Sequence, residues 1–449
     1  MSARPTLMTL LSLGLLLFTA HQATGTTAGP STLPSHWTTQ EAVRFALDHS
    51  PDAKAALHRI QAAQADIQRA RAAFYPQLKL QGGYGSTNNP MYSFGNILNQ
   101  GVFNNRMDFN DPGVTDNLQL KAELSYRLYN GGRDQAALDR ATAGRQAADF
   151  RKQGIRSTLS LAVIRAFFTI IQAEETVQAR TGAVTSLAAA IKAAQARFEA
   201  GDLLKEELLN LEVQHALTRE DLIQARHGLA LARRGFFNLL GLNETRGELD
   251  LAGSRPQPVP ERPDFHNRAE IKQMQARLEA LEAAVRQFQA GYYPTADAFG
   301  SYQLDKGFEL DQGSGNSWLA GIQINYALFN GHRTRAEVEQ AQAQLTEARE
   351  QLRKLELAYS LELEQARLSL EQAEKRIQVT SKMVESAQES ARLSRARFKE
   401  GLLLSSELID IENRLTDARV RHALANADHK IAIADLRRAG GLKQFPQTP

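Results

Sequence analysis

The chain repeats itself, and no other feature constrains its fold as strongly. Residues 196–212 read ARFEAGDLLKEELLNLE and residues 396–412 read ARFKEGLLLSSELIDIE, an offset of 200. The offset persists upstream, where YRLYNGGR at 126–133 is answered by YALFNGHR at 326–333. Further upstream, FYP at 74–76 is answered by YYP at 292–294 at an offset of 218, because the loop between these landmarks is longer in the first copy. Each unit reads as a moderate helix, FYP, a strand, a loop, a strand, an NGG-type turn, a very long helix, an AGxLL turn and a second helix. The 449 residues are therefore one unit used twice rather than several globular domains. The first unit spans 26–241, a linker 242–263, the second unit 264–441 and a tail 442–449.

Residues 1–25 precede the repeat and read as a secretory signal peptide: Arg4, an apolar run over 7–18, then small residues ending at Ala23-Thr24-Gly25. The chain has no cysteine. That excludes disulfides, cysteine-ligated zinc, iron–sulfur clusters, thiol catalysis and a lipoprotein cysteine anchor. A net charge of +3 without a basic, aromatic-studded run argues against nucleic acid as a partner. The ten histidines are scattered, and no G-x-S-x-G, P-loop or H-E-x-x-H is present. We expect no enzyme activity, no cofactor and no metal site. Mean hydropathy is -0.38, and the candidate spanning stretch, Leu7 to Ala20, is too short to cross a bilayer as a helix.

The stretches 131–200 and 331–400 lack proline and are rich in Ala, Gln, Arg and Glu. As helices of about 70 residues each would be about 105 Å long, which no ordinary globular domain needs. The second shows a seam at alternating spacings of three and four: Val338, Ala341, Leu345, Ala348, Leu352, Leu355 and Tyr359. After an interruption near Glu362 it resumes at Ala366 and runs on to Phe398, a register shift of the stutter type. The helices at about 204–240 and 404–439 fold back on these rods through tips at 198–205 and 398–405. They are half as long, so the helices at about 52–74 and 264–290 must cover the rest.

The strands alternate. Over 118–129, Leu118, Leu120, Ala122, Leu124, Tyr126 and Leu128 share one face, and Gln119, Lys121, Glu123, Ser125 and Arg127 the other. Over 318–329, Trp318, Ala320, Ile322, Ile324, Tyr326 and Leu328 repeat the pattern; the partner strands at about 77–86 and 296–304 repeat it more weakly. An ordinary antiparallel sheet packed on a core has the same alternation. Here, however, the hairpins sit at one end of the rods with no second apolar layer to meet. Lipid is the remaining apolar partner, and strands of about ten residues suffice to cross it when tilted. Four strands cannot close a barrel, and open edges are not tolerated in lipid. Two, three or four copies would supply 8, 12 or 16 strands.

In this order and duplication, the chain resembles the TolC-like outer-membrane efflux proteins. The resemblance covers essentially all of the mature chain. It rests on FYP before a strand, Tyr-x-Leu-Tyr/Phe-Asn-Gly-x-Arg at the strand-to-rod junction, and Ala-Arg-Phe-x-x-Gly-x-Leu-Leu at the turn, each present twice. It implies a mainly α fold with a membrane β-barrel part: long antiparallel helical coiled coils, and four strands per chain completing a twelve-stranded barrel in a homotrimer. It further implies an exit duct in the outer membrane of a Gram-negative bacterium, surrounded by outer-membrane lipid, with most of the chain in the periplasm. A periplasmic adaptor (membrane fusion protein) would dock to it, serving an inner-membrane RND or ABC transporter. The turns become the periplasmic tip, where Phe198, Gly201, Leu203, Leu204, Phe398, Gly401, Leu403 and Leu404 would meet the adaptor. Glu407 and Asp410 fall where the family lines its constriction, with Glu207 beside them in the first repeat. In a trimer they would form rings of carboxylates that attract cations. Acids in the first turn of a helix are also favoured by the helix dipole alone. The departures are Phe398 and Leu403, which stand where polar latches of the family's best-studied pattern would be. Leu120, Leu124, Trp318, Ile322 and Ile324 would face lipid. The competing reading is a structural coiled-coil scaffold of the envelope, which accounts for the rods but not for the apolar hairpin face.

Overall fold

The computed structural model describes residues 34–243, 247–251, 254, 257–309 and 312–445; the signal peptide expected over 1–25 lies outside them. The first unit opens with the two-residue strand β1 (His36–Trp37) and the helices α1 (Thr39–His49) and α2 (Pro51–Arg71). Thr38 and Glu41 cap α1 reciprocally, and Pro51 opens α2 at the position where a missing N–H is harmless. Then follow β2 (Gln77–Thr87), α3 (Pro90–Asn99), β3 (Thr115–Tyr129), α4 (Arg133–Glu199) and α5 (Lys205–Leu239). The linker contributes β4 (Glu248–Leu249), which pairs in parallel with β1. The second unit comprises α6 (Ala269–Gln289), β5 (Thr295–Lys306), β6 (Ser314–Asn325), α7 (Arg333–Lys399) and α8 (Ser405–Ala439).

The duplication is carried into the long helices residue by residue. The rods α4 and α7 are each 67 residues, and α5 and α8 each 35. At 1.5 Å per residue a rod is about 100 Å long. Both rods start from a left-handed turn: Gly131 and Gly132 in the first unit, Gly331 and His332 in the second. A Cβ on Gly131 would lie 2.7 Å from Tyr293 Cβ, so only glycine fits there. Both rods end in a Schellman motif. The Gly201 and Asp202 N–H groups donate to the Phe198 and Arg197 carbonyls, and Gly401 and Leu402 repeat this on Phe398 and Arg397.

The seam on α7 lies where the spacing places it, and the break near Glu362 has a packing cause. Ala341 and Leu345 pack with Val285 of α6, whereas Ala366, Leu370 and Ala373 pack with Ile433, Leu436 and Ala439 of α8. The rod changes partner between them and must change register to do so. The largest core sits at mid-length of α4, where Val163, Ile164, Phe167 and Ile170 meet Trp37 of β1, Phe236 of α5 and Ala434 of α8. Part of α4 is apolar enough to cross a membrane by composition, but half of that window is buried within the chain.

Several boundaries differ from the sequence reading. The fourth strand runs over Ser314–Asn325 rather than 318–329, so Tyr326 and Leu328 lie beyond it. Pairing with β5 is carried outward to Lys306–Ser314 by the short second loop. The longer loop at 86–116 contains the helix α3, started by Asn89 as cap and Pro90 as first residue. α6 begins at Ala269, behind a 3-10 turn over Phe265–Asn267.

Candidate functional site

The four long strands form one antiparallel sheet in the order β2-β3-β5-β6. Their register aligns the apolar residues across all four. Leu78, Leu124, Gly300 and Ala320 make one row; Leu80, Ala122, Tyr302 and Trp318 make the next; Tyr126, Ala298 and Ile322 follow. Leu120, Leu124, Trp318, Ile322 and Ile324 are all exposed on this face. The opposite face aligns Gln81, Lys121, Gln303 and Ser317, then Lys79, Glu123, Ser301 and Leu319. Lys121 pairs with Glu123 at 3.2 Å and Arg127 with Asp297 at 3.2 Å. A sheet that exposes a continuous apolar face and lines its other face with ion pairs suits lipid outside and water inside. The outer edges of β2 and β6 have no partner within the described residues.

At the outer end of the sheet, α3 and its flanking loop are pinned to the polar face. Gln100 donates from Nε2 to the Asp116 carbonyl at 2.7 Å and to Asn117 Oδ1 at 3.2 Å. Asn117 in turn donates to Asp305 at 2.6 Å.

At the far end of the rods lie the two turns. Leu187, Ala194, Leu203, Leu208, Leu211, Phe398 and Leu408 form a small core there, with Leu403 packed against it. Of the residues expected at the docking tip, Phe198, Gly201, Leu204, Gly401 and Leu404 are exposed, whereas Phe398 and Leu203 are buried. The two phenylalanines occupy equivalent positions of one motif yet have opposite environments. Glu407 and Asp410 are exposed on the first turns of α8, and Glu207 is half-buried on α5. Glu407 accepts from the Leu404 N–H at 3.4 Å, and Asp410 lies 3.8 Å from Arg414. The structure thus brings Glu407 and Asp410 onto one exposed helix face near the tip, with Glu207 on the neighbouring hairpin.

Two tip features escaped the sequence reading. Arg197, at the end of α4, donates from Nη1 to the Phe398 carbonyl at 3.1 Å and from Nη2 to the Asp202 carbonyl at 3.2 Å. Its guanidinium also stands 5.6 Å from the Phe398 ring centre. Arg395 grips the buried Glu412 with two hydrogen bonds, one of 2.8 Å. That fixes α8 to α7 just behind Glu407 and Asp410. The motif containing Arg197 was visible as a repeat, but nothing local marks which copy's arginine crosses to the other hairpin.

A third polar cluster occupies the seam break at mid-rod. Arg268, whose side chain is buried, bridges Glu270 at 3.1 Å and Glu362 at 2.7 Å and lies 3.7 Å over the Tyr359 ring. Arg438 bridges the same two carboxylates from α8. Burial alone would raise the Glu270 pKa, but the hydrogen bond and charge of Arg268 overrule it and hold the carboxyl below its ordinary range. Burial likewise opposes the Arg268 charge, and the two carboxylates raise its pKa above the usual arginine value.

The fold and this arrangement define an outer-membrane channel architecture. The structure of the channel CusC matches with a TM-score of 0.78 at 17% identity, covering 90% of this chain and 92% of that one. The pattern of the family described as outer membrane efflux protein matches residues 42–242 and 265–442, and the chain belongs to that family. Its members are channel proteins of the Gram-negative outer membrane. Among curated relatives, the cobalt-zinc-cadmium resistance protein CzcC of Cupriavidus metallidurans is 27% identical over 178 residues, 38% of this chain and 43% of that protein. Protein CyaE of Bordetella pertussis is 28% identical over 333 residues, 69% of this chain and 65% of that protein. The chain thus spans less than two thirds of the length of each.

Proposed function

We propose that three copies of this chain form the exit duct of a tripartite efflux or type I secretion system. Four strands from each copy close a twelve-stranded barrel, and the rods continue it as a helical tunnel through the periplasm. The observation that carries this reading is the sheet: a continuous apolar face, an ion-paired opposite face and two unpaired edges. A sheet in water would leave that face uncovered, and in lipid those edges must be paired by other copies. An envelope scaffold gives no reason for either.

The tip is the docking end. Phe198, Leu204 and Leu404, with the turns at Gly201 and Gly401, offer an adaptor an apolar rim on a rigid base. Glu407 and Asp410 ring the constriction with Glu207 beside them, and the buried core of Phe398 with Leu403 holds the tip closed. An inner-membrane RND or ABC pump supplies the energy, so the duct is passive. Purified protein in planar bilayers is expected to conduct with cation preference, and Glu407→Ala with Asp410→Ala to reduce that preference. An unchanged reversal potential would remove these residues from the ring.

A further inference from the structure

The two hairpins differ at their outer ends. The first loop carries α3, whereas the second is short and places Gly307, Gly313 and Gly315 under the end of that helix. A Cβ on Gly307 would overlap the Gln100 amide, one on Gly313 would overlap Val102, and one on Gly315 would overlap the Asn99 carbonyl. The second hairpin is thus cut to seat the first hairpin's helix. The seat lies on the polar face, since Gly315 stands opposite Asp305, whose carboxylate takes the Asn117 amide. Polar contacts hold the helix there. Ser93 Oγ donates to the Gly113 carbonyl at 2.9 Å, Asn96 to Thr115 Oγ1 at 3.0 Å and Gln100 to the Asp116 carbonyl at 2.7 Å. Ile97 is the one apolar side chain of α3 that is buried.

The helix turns its apolar side away from the sheet. Ser93, Ile97 and Gln100, spaced by four and three, share the seated side; Met91, Gly95 and Leu98 keep the same spacing on the opposite one. Met91 is 82% exposed, Tyr92 67% and Leu98 50%. Phe94, Phe103 and Phe109, with ring centres 4.5 to 5.9 Å apart, pack the return segment onto the helix. On the polar face of a sheet whose other face meets lipid, the bare side of α3 points into the lumen. An apolar patch facing water marks a contact still to be made.

The size of the ring says what that contact is. Twelve strands about 4.8 Å apart and tilted by about 40° close a ring about 24 Å across, backbone to backbone. A helix with its side chains is about 10–12 Å thick, so one helix per chain, seated inside the ring on every side, leaves a bore of at most about 4 Å. We infer that α3 is an outer gate: the α3 helices of three copies meet through Met91, Tyr92 and Leu98 at the outer mouth and close it to all but water and small ions. This rests on the proposed duct. Opening the gate breaks the few hydrogen bonds of the seat and uncovers little apolar core, because Ile97 alone is buried there.

The chain has no cysteine, so an introduced thiol reports cleanly. Ser301 lies on the polar face beside Glu123, further from the outer mouth than Asp305 at the seat. In intact cells, Ser301→Cys is expected to react with a small charged thiol reagent and to resist one coupled to a bulky polyethylene glycol. Adding Met91→Asp and Leu98→Asp, which sets like charges against each other at the axis, is expected to speed the bulky reaction at least about tenfold. Leu98→Cys or Met91→Cys alone, oxidised in the same cells, is expected to give covalent dimers and no trimers, because each chain brings one thiol. Equal reaction of the two Ser301→Cys backgrounds with the bulky reagent, or single-thiol variants that both stay monomeric, overturns the gate and leaves the duct standing. Reaction of Leu124→Cys in place of Ser301→Cys overturns the duct itself.

Discussion

Replacing Leu124 by arginine separates a lipid-facing sheet from a water-facing one. Leu124 is exposed on the apolar face in the row with Leu78, Gly300 and Ala320. β3 has 15 residues centred on Ala122. Two residues at about 3.3 Å each, on a strand tilted by about 40°, put Leu124 about 5 Å from the middle of the apolar band. An arginine at that depth costs about 2–3 kcal/mol. In the proposed duct three copies share one barrel, so that assembly loses about 6–9 kcal/mol, enough to empty the inserted state. On a sheet facing water the same change would cost within about 0.5 kcal/mol. The assay is folding from urea into liposomes, scored as the inserted, protease-protected fraction. Leu124→Arg is expected to fail while Ser125→Arg, on the opposite face, inserts as the parent does. Equal insertion of parent and Leu124→Arg, or equal failure of both variants, refutes the assignment of faces.

Other consequences concern the rods and tip. Arg268→Ala leaves the half-buried Glu270 with Arg438 alone and is expected to destabilise the rods by about 2 kcal/mol, read as a lower denaturant midpoint by circular dichroism. Because Glu270 titrates below its ordinary value in the folded chain, its stabilising contribution is complete above about pH 4.3 and falls away as pH drops through the depressed pKa; Glu270→Gln flattens that acid limb. Gly201 and Gly401 both have positive φ, so alanine at either costs about 1–2 kcal/mol. A Cβ on Gly401 would also lie 3.2 Å from Arg197 Nη2, whereas Gly201 has open space. Gly401→Ala is therefore expected to be the more destabilising of the two in thermal melts, and equal melts would deny Arg197 its place over the second turn.

The rods, turns and sheet faces were legible because each is a period or a punctuation mark written twice. The step of three and four along α7 survives as burial over Val338–Ala348 and again at positions from Ala366 to Phe398, with Leu352, Leu355 and Tyr359 only half-buried, and the alternation over 118–129 survives as the two faces of β3. What stayed hidden depends on which elements meet. The pairing of β1 with β4 is two residues long, too short for any period. α3 carries an Asn-Pro start signal, submerged in a loop rich in Asn and Gly. Arg268, Glu362, Arg395 and Glu412 sit among dozens of charged helical residues, and their pairing, with Arg268 and Glu412 buried, follows only from the partner change at mid-rod and the folding back of α8. Phe198 and Phe398 stand in the same motif, and only the contact between repeats makes one core and the other surface.

The central claim is that this chain is one third of a closed barrel, and the mass of the native assembly tests it most directly. Purified from outer membranes in mild detergent, the protein is predicted to give a mass of three chains once bound detergent is subtracted. Two or four chains, or one, would contradict the twelve-stranded duct.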